Sequence, residues 1–454
     1  MKHFEYVIIG TGQATGTLLG RLIPEGKNIA VIEMHKVGGS CVNYGCTPTK
    51  TLVATARAIH MARRGDFFGF DSDTLSVDFG MVRQRMDEIR NASNQGLEKW
   101  MNDTSNVTLY KGPGRFNEDK SITIDSHTIT GDKIIINTGT RPATPPIKGL
   151  DQIPWLDNER LLSLETLPGH LVIIGGGYIA VEFAQIFRRF GCEVTILQRD
   201  GQIMSHEDAD VAQAIQQILE EEGIRVICDA VVTEVSGSDG NVTVQLDGGE
   251  TITGSHVLVA AGRVPNSDTL NPEAIGLARD DRGFITVDDH CRTSVDGIYA
   301  AGDVNGHGAF THTSVNDAEI VLDDLFGGDR KISHRVPIYA LFTDPPLGRT
   351  GMSEKEALAS GKRVLKAVRP MSKINRAKEM GETKGFAKLL VDADTDLILG
   401  ASILGPGADE IINMIAVLIH QKIPCKAFRK VVHVHPTVSE LLPFILDGLE
   451  PVSS

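Results

Sequence analysis

Two cysteines, Cys41 and Cys46, lie five residues apart in the sequence and could form a redox-active disulfide. Five residues of a regular helix rise ~7.5 Å, which exceeds the usual Cα separation of a disulfide. We therefore expect the helix to be irregular, or only beginning, between them. Gly45 permits an unusual backbone, and Pro48 suits the first turn of a helix, which would place Cys46 at a helix N-terminus. That location stabilises a thiolate.

Two other interpretations of this pair are less favoured. Zinc sites usually pair cysteines about two to four residues apart and need two further ligands nearby, and none follows in the sequence. Two unrelated buried cysteines are the other alternative, which we favour less than a redox-active disulfide. The four remaining cysteines are scattered singly, and we expect each to be a packed thiol: Cys192, Cys228, Cys291 and Cys425.

The N-terminal segment has the pattern of a dinucleotide-binding unit. A buried strand is predicted for Phe4–Ile9, followed by the turn Gly10-Thr11-Gly12-Gln13-Ala14-Thr15-Gly16, a helix to Leu22 and a second strand ending at Glu33. Glycines let the backbone approach a pyrophosphate at a helix N-terminus, and an acid about twenty residues on binds a ribose hydroxyl. Thr15 replaces the third glycine, so we expect slightly wider packing there.

A second glycine-rich turn, Gly175–Ala180, lies between the predicted strand Leu171–Ile174 and a helix ending at Phe190. After the next strand, the ribose position holds Gln198 rather than an acid, and Arg199 follows. This change removes the carboxylate that binds an unphosphorylated ribose and offers a cation to a 2′-phosphate. We therefore expect two different dinucleotides in one chain, with NADPH rather than NADH at the second turn.

Composition narrows the class of protein. The chain has 454 residues, 41% apolar and 23% charged, which is typical of a globular protein of several domains. A formal net charge of −14 argues against nucleic-acid binding. No apolar run approaches the ~20 residues of a membrane span, and the first run begins too early for a signal peptide to precede it. We expect a cytoplasmic protein with neither a nucleic acid nor a membrane as partner, and no bound metal.

The pattern changes from about Arg335 onward, where strands and helices continue without a dinucleotide motif. Strands are predicted at Phe386–Val391 and Leu397–Ile403. A final helix is predicted to open at about Pro436 and to run to Leu446, with His435 before it and Glu440 inside it. Earlier, helices are expected over Thr49–Arg64 and Val77–Met101, and the proline-rich Pro142–Pro146 is predicted to be a linker.

The segment Gly38–Lys50 resembles the active-site motif of class I pyridine nucleotide-disulfide oxidoreductases, the family of mercuric reductase, dihydrolipoamide dehydrogenase and glutathione reductase. Tyr44 and Thr47 stand where other members often have aliphatic residues. The resemblance implies an α/β fold with two Rossmann-like dinucleotide-binding domains and a C-terminal α+β dimerisation domain. We place the FAD-binding domain at residues 1–150 and 270–332, the NAD(P)H-binding domain at 151–269 and the dimerisation domain at 333–454.

The resemblance also implies roles for particular residues. Electrons would pass from NADPH through FAD to the disulfide, with Cys46 nearer the flavin and Cys41 exchanging with the acceptor. His435, oriented by Glu440, would transfer protons from the other subunit of an obligate homodimer with composite active sites. An ion pair between Lys50 and Glu182 would lie near the flavin. The residues expected to bind FAD are Gly10, Gly12, Gln13, Ala14, Glu33, Gly39, Ser40, Lys50, Thr138, Gly139, Arg263, Gly302 and Asp303. Those expected to bind NADPH are Gly175, Gly177, Tyr178, Ile179, Glu182, Gln198, Arg199 and Gly262.

The sequence does not identify the electron acceptor. Three segments, Pro142–Pro146, Phe342–Pro346 and Gly381–Gly385, most resemble the mercuric-reductase-like branch of the family, but Glu450–Ser454 has no vicinal cysteine pair of the kind that passes Hg(II) inward. Another soft-metal ion or a small disulfide is therefore still a candidate electron acceptor. Dihydrolipoamide dehydrogenase is the second choice, weakened by Gln198 and Arg199 because that enzyme works with NAD. Glutathione reductase is less favoured, and a redox sensor is the alternative from a different class. A flavin oxidase generally needs only one active-site cysteine.

Overall fold

The computed structural model describes residues 1–452, so that Ser453 and Ser454 of the C-terminal segment considered above lie outside the described residues. Its first sheet has seven strands, and most of them are buried runs of Ile and Val. This composition is typical of a sheet that is covered on both faces. Parallel neighbours follow the order Val107–Lys111, Ile29–Glu33, Lys2–Ile9, His127–Ile136 and Ile298–Ala300, with the short strands Gly114–Phe116 and Ile122–Ile124 added antiparallel.

The second sheet carries the second glycine-rich turn. Four parallel strands lie in the order Arg225–Ile227, Glu193–Leu197, His170–Ile174 and His256–Val259. A separate antiparallel sheet contains Val232–Ser238, Asn241–Leu246 and Thr251–Gly254. The helix Tyr178–Phe190 packs against the four-stranded parallel sheet through Phe183 and Phe187, and Gly191, whose φ of 113° suits a glycine, follows its end.

A two-stranded ribbon joins the two sheets. Thr140–Pro142 pairs with Arg263–Pro265, so the start of the predicted linker is a short strand. The chain leaves the first sheet through one strand and returns through the other before Ile298–Ala300 joins that sheet. The ribbon therefore holds both ends of the second unit against the first.

The C-terminal sheet has six antiparallel strands. Their order is Ile338–Leu341, Leu347–Gly351, Ile398–Leu404, Phe386–Asp392, Val364–Pro370 and Glu450–Pro451. The helix Ala408–His420 covers this sheet and buries Ile412 and Ile415 in a shared core. The remaining α-helices are Gln13–Leu22, Gly39–Asn43, Cys46–Arg63, Gly65–Phe68, Phe79–Asp103, Asn158–Leu162, Ala209–Glu221, Thr311–Leu325, Glu354–Ala359, Asn375–Glu379, Cys425–Phe428 and Leu442–Ile445.

The predicted α/β architecture with two Rossmann-like sheets and a C-terminal α+β unit is confirmed. The predicted final helix from Pro436 to Leu446 is wrong, because the segment contains a 3₁₀ turn at Ser439–Leu441 and an α-helix only at Leu442–Ile445. The Thr437 hydroxyl accepts the backbone N–H of Glu440 at 3.1 Å, which satisfies a donor at the start of that turn. Across residues 1–452, every helix is too short or too polar to cross a membrane.

Candidate active site

The two cysteines lie on different helices. Cys41 belongs to the short helix Gly39–Asn43, and Cys46 is the first residue of the 18-residue helix Cys46–Arg63. The chain breaks helical geometry at Tyr44 and Gly45, which confirms that no regular helix connects the pair. Both cysteines are free thiols, so the structure corresponds to the reduced form of the predicted disulfide.

The two thiols differ in acidity. A hydrogen bond from Cys41, assisted by one from Thr311 and by the Lys50 ammonium, lowers the pKa of Cys46 to about 6, although desolvation opposes this change. The same sulfur–sulfur hydrogen bond, together with desolvation, raises the pKa of Cys41. Near neutral pH the reduced pair is therefore a thiolate at Cys46 and a thiol at Cys41.

The predicted pair of Lys50 and Glu182 is present. Lys50 Nζ lies 2.7 Å from Glu182 Oε2, and the other carboxylate oxygen accepts the backbone N–H of Phe342 at 2.8 Å. Lys50 Nζ also lies 4.6 Å from the centroid of the Phe342 ring. The first two residues belong to the two dinucleotide-binding units and the third follows a strand of the C-terminal sheet, so all three units meet beside the cysteines.

A cavity of about 730 Å³ contains most of the predicted FAD-site residues together with the cysteine pair. Predicted residues that line it are Gly10, Gly12, Gln13, Glu33, Gly39, Ser40, Cys41, Cys46, Lys50, Thr138, Gly139, Tyr178, Ile179, Glu182, Arg263 and Asp303. The predicted residues Ala14, Gly302, Gly175, Gly177, Gln198, Arg199, Gly262, His435 and Glu440 do not line it. Ala14 is buried under the first turn, and the backbone N–H of Gly302 donates to Asp317 at 2.8 Å.

The first glycine-rich turn fits the backbone of a dinucleotide. Gly10 has a φ of 98°, and a Cβ there would lie 2.2 Å from the carbonyl oxygen of Asn137. A Cβ on Gly39 would lie 2.9 Å from the Cα of Gly12, so these backbones approach as closely as glycine allows. The buried hydroxyl of Thr138 has no hydrogen-bond partner within the described residues and belongs to the cavity lining, where it is available to a ligand.

Buried polar residues hold this turn in place. Thr15 donates to the carbonyl of Gly10 at 2.8 Å and accepts from the Asn137 amide at 2.9 Å. The threonine at the third glycine position is therefore part of a hydrogen-bonded junction between turn and sheet. Glu33 accepts the backbone N–H groups of Thr11 at 3.0 Å and His35 at 2.7 Å, which fixes its carboxylate at the cavity wall.

A chain of hydrogen-bonded side chains lines another part of the cavity and ends at Asp303. Arg263 Nε donates to the Thr140 hydroxyl at 2.7 Å, and that hydroxyl donates to Asp303 at 3.1 Å. Burial raises the pKa of Asp303, and the Arg263 cation opposes this change. The paired strands Thr140–Pro142 and Arg263–Pro265 thus connect to Asp303, one of the residues expected to bind FAD.

The second glycine-rich turn lies at the carboxyl end of the strand His170–Ile174. A Cβ on Gly175 would lie 2.5 Å from the carbonyl oxygen of Ala260. Gln198 is buried and donates to Asp200 at 2.9 Å, whereas the Arg199 side chain is 82% exposed with its Nε 3.5 Å from Asp200. Asp200 is an acid near the ribose position that the sequence pattern did not single out.

His435 and Glu440 pair away from the cavity. Nδ1 of His435 lies 3.0 and 3.1 Å from the two carboxylate oxygens of Glu440, and its side chain is 74% exposed. The carboxylate fixes the ring orientation and keeps the proton on Nδ1, which leaves Nε2 as the free basic nitrogen. Among the residues described, no group of three or more His, Cys, Asp or Glu side chains forms a metal site.

Two family models match this chain. The model described as pyridine nucleotide-disulphide oxidoreductase covers residues 4–318, and that family's dimerisation domain covers residues 338–443. The chain belongs to the pyridine nucleotide-disulphide oxidoreductase family. It is similar to the probable pyridine nucleotide-disulfide oxidoreductase RclA of Escherichia coli strain K12, at 36% identity over 97% of this chain and 98% of that protein. It is also similar to mercuric reductase of Lysinibacillus sphaericus, at 32% identity over 90% and 76% of the two chains.

A solved structure extends the similarity to the whole fold. The Cu(II) complex of the HOCl-induced flavoprotein disulfide reductase RclA from Escherichia coli superimposes with a TM-score of 0.90 at 35% identity. The match covers 98% of this chain and 99% of that one. The family membership makes this chain a flavoprotein disulfide oxidoreductase that uses FAD and NAD(P)H, with a dimerisation domain at its C-terminal end.

Besides Asp200, the sequence did not single out two further candidates. Thr311 lies within hydrogen-bond distance of both cysteine sulfurs, and the Phe342 ring contacts the Lys50 ammonium. The only signal for Thr311 was its place soon after the Ala301-Gly302-Asp303 motif, just before a helical segment. Its contact with the cysteines comes from the tertiary fold.

Proposed function

We propose that this enzyme passes electrons from NADPH through FAD to a Cys41–Cys46 disulfide and on to a soft-metal ion or a small disulfide. The observation that carries the proposal is that a low-pKa cysteine at a helix N-terminus shares one cavity with the glycine-rich turn and the Lys50–Glu182 pair. This arrangement places a stabilised thiolate beside the residues proposed to hold FAD. FAD supplies the chemistry that converts hydride transfer into disulfide reduction.

One NADPH reduces one Cys41–Cys46 disulfide. NADPH and the oxidised pair give NADP⁺, a thiolate at Cys46 and a thiol at Cys41. The Cys41 thiol must lose its proton before it attacks an acceptor, because the thiolate is the nucleophile and the metal ligand. The raised pKa of Cys41 makes a base necessary near neutral pH.

We assign that base to His435 of the partner subunit, oriented by Glu440. In a single chain His435 is exposed and outside the cavity, while its pairing with Glu440 leaves one ring nitrogen free to accept a proton. A homodimer built through the C-terminal domain would supply this histidine to the other chain's cysteines. The proposal accounts for an exposed, carboxylate-oriented histidine on a dimerisation domain.

The residues proposed for the cofactors follow from the same geometry. FAD would lie against the turn from Gly10 to Ala14, the ribose acid Glu33, the Thr138 hydroxyl and Asp303, within segments 1–150 and 270–332. NADPH would lie against the turn from Gly175 to Ile179 in segment 151–269, with the exposed Arg199 facing its 2′-phosphate. Segment 333–454 would form the dimer. Gly262 and Gly302 would support these sites through the backbone.

Cu(II) is the metal acceptor to test first, because the similar RclA protein is known as a Cu(II) complex. One NADPH supplies two electrons, which reduce two Cu(II) ions to Cu(I), one Hg(II) to the metal, or one disulfide to two thiols. Mercuric reductase is also a relative, so Hg(II) belongs in the same comparison. Lipoamide is the second candidate acceptor, since it tests the dihydrolipoamide dehydrogenase alternative.

The experiment follows anaerobic oxidation of NADPH by the FAD-loaded protein with each acceptor in turn: chelated Cu(II), Hg(II) as a dithiol complex, or lipoamide. Faster turnover with a metal supports the proposal in its soft-metal form, and faster turnover with lipoamide supports the disulfide form. Turnover with none of them, together with a co-purifying protein, would replace the proposal with the redox-sensor alternative. The Cys228→Ser variant is a matched control, because Cys228 is partly exposed and does not line the cavity.

A further inference from the structure

One hydroxyl bridges the two redox sulfurs. Thr311 Oγ1 lies 3.1 Å from Cys41 Sγ and 3.3 Å from Cys46 Sγ, within hydrogen-bond distance of both. These contacts connect residues that are 270 and 265 positions apart in the sequence. The hydroxyl favours the ionised form at both sulfurs, since it lowers the pKa of each cysteine.

The neighbours of Thr311 fix its position. The ring of Phe310 stacks on Tyr339 with centroids 5.3 Å apart, and Nε2 of His312 lies 2.6 Å from the carbonyl oxygen of Ile338. Both contacts go to the strand Ile338–Leu341 of the C-terminal sheet. The residues on either side of Thr311 are therefore anchored, and its side chain has little freedom to leave the sulfurs.

Backbone capping does not account for the Thr311 hydroxyl. Thr311 is the first residue of the helix Thr311–Leu325, and the hydroxyl of Thr313 serves the backbone there, donating to the carbonyl of Phe310 at 2.7 Å. The two hydrogen bonds of the Thr311 hydroxyl both go to sulfur. Two helix N-termini, at Cys46 and at Thr311, thus converge on the pair, and each favours negative charge.

We propose that Thr311 is the shared hydrogen-bond donor that stabilises whichever of the two sulfurs carries the negative charge. After NADPH reduces the disulfide, the charge is on Cys46 and the proton on Cys41, and the hydroxyl donates to Cys46. When Cys41 gives its proton to the base, the hydroxyl turns to Cys41 and stabilises the attacking thiolate. A hydroxyl has one hydrogen to donate, so it serves one sulfur at a time.

This inference rests on the proposed function, because it takes Cys41 and Cys46 as the redox pair. The test is therefore made on FAD-loaded protein whose pair has been reduced chemically with excess dithiol and then freed of it. Two readouts follow the thiolates against pH: the long-wavelength absorbance of a thiolate beside oxidised flavin for Cys46, and the rate of alkylation by iodoacetamide, located by mass spectrometry, for Cys41. Neither readout requires NADPH or an acceptor.

Thr311→Val removes the hydroxyl and keeps the shape of the side chain. We expect the thiolate-to-thiol ratio at fixed pH to fall about tenfold at Cys46, and Cys41 to be alkylated several-fold more slowly, because a hydrogen bond to a charged group is lost. Thr311→Ser restores a hydroxyl and should stay within about twofold of the unmodified protein. Thr47→Val is the matched control, since Thr47 is next to Cys46 but does not line the cavity.

Unchanged pH midpoints in Thr311→Val would overturn the role of Thr311. If Thr311→Val does not fold, Thr311→Ser is compared with Thr311→Ala. Equal pH midpoints of thiolate formation in these two variants would contradict the proposal, and a midpoint shifted only in Thr311→Ala would support it. Failure of the proposed function is distinguishable, because Cys41→Ser would then leave acceptor turnover intact whatever the Thr311 variants show.

Discussion

The Lys50 ammonium lies 2.7 Å from the Glu182 carboxylate and joins the helix that starts at Cys46 to the helix that starts at the second glycine-rich turn. The two charges act on the Cys46 thiol in opposite directions, since Lys50 lowers its pKa and Glu182 raises it. The pair therefore sets the thiolate fraction as well as connecting two helices.

Removing either charge should shift the pKa of Cys46, in opposite directions for Lys50 and Glu182. Lys50→Met is expected to raise the pKa of Cys46 and Glu182→Gln to lower it, each changing the thiolate-to-thiol ratio at fixed pH by about two- to tenfold. The measurement is a pH titration of the thiolate–flavin absorbance in the reduced protein. Shifts in the same direction for both variants would mean that the two residues act through folding rather than charge.

Acid should abolish the Cys46 thiolate. Its pKa is lowered to about 6, so the thiolate is present above that pH and is lost as the pH falls through it. We expect the absorbance of the reduced protein to titrate with a midpoint near this value and to vanish in Cys46→Ser. A midpoint near the ordinary ~8.5 of a free cysteine would show that the hydrogen bonds from Cys41 and Thr311 and the Lys50 charge do not stabilise the thiolate.

Loss of His435 should slow turnover while leaving reduction of the pair by NADPH intact. We expect His435→Ala to lower acceptor turnover by about 10²-fold, the typical contribution of a general base. Mixing unfolded Cys41→Ser and His435→Ala chains and refolding them together tests the composite site. Random pairing should restore about a quarter of the normal turnover, because half of the dimers are mixed and each keeps one intact site. No recovery would place His435 and Cys41 in the same subunit.

Nucleotide preference should depend on Arg199. Because a charge-assisted hydrogen bond to the 2′-phosphate would be lost, Arg199→Gln is expected to lower kcat/KM for NADPH by about tenfold or more and to leave kcat/KM for NADH nearly unchanged. The exposed Arg282→Gln is the control for removal of a surface guanidinium. Equal losses with both nucleotides would contradict recognition of the 2′-phosphate by Arg199.

The sequence predicted those features that depend on local chemistry. The glycine-rich turns, the acid Glu33 and the helix start at Cys46 follow from backbone geometry that only certain residues adopt, and each is found where it was expected. The start of the last helix was misplaced because a threonine hydroxyl, three residues before Glu440, competes with helix formation in a way that periodicity does not show.

Long-range contacts account for what the sequence did not predict. Thr311 reaches the cysteines across more than half the chain, and the interaction of Phe342 with Lys50 requires the C-terminal sheet to be in place. Asp200 became a candidate only when the buried Gln198 was seen to bond to it. Such contacts depend on how the three units pack together, and no characteristic spacing of residues in the sequence indicates them.

The most direct test of the central claim compares Cys41→Ser with the Cys228→Ser control in two anaerobic assays, reduction of the bound flavin by NADPH and steady-state NADPH oxidation with Cu(II) or lipoamide. The account predicts that Cys41→Ser keeps rapid flavin reduction and loses acceptor turnover by at least about a hundredfold, while Cys228→Ser keeps both. Acceptor turnover that survives in Cys41→Ser would contradict electron transfer through the cysteine pair.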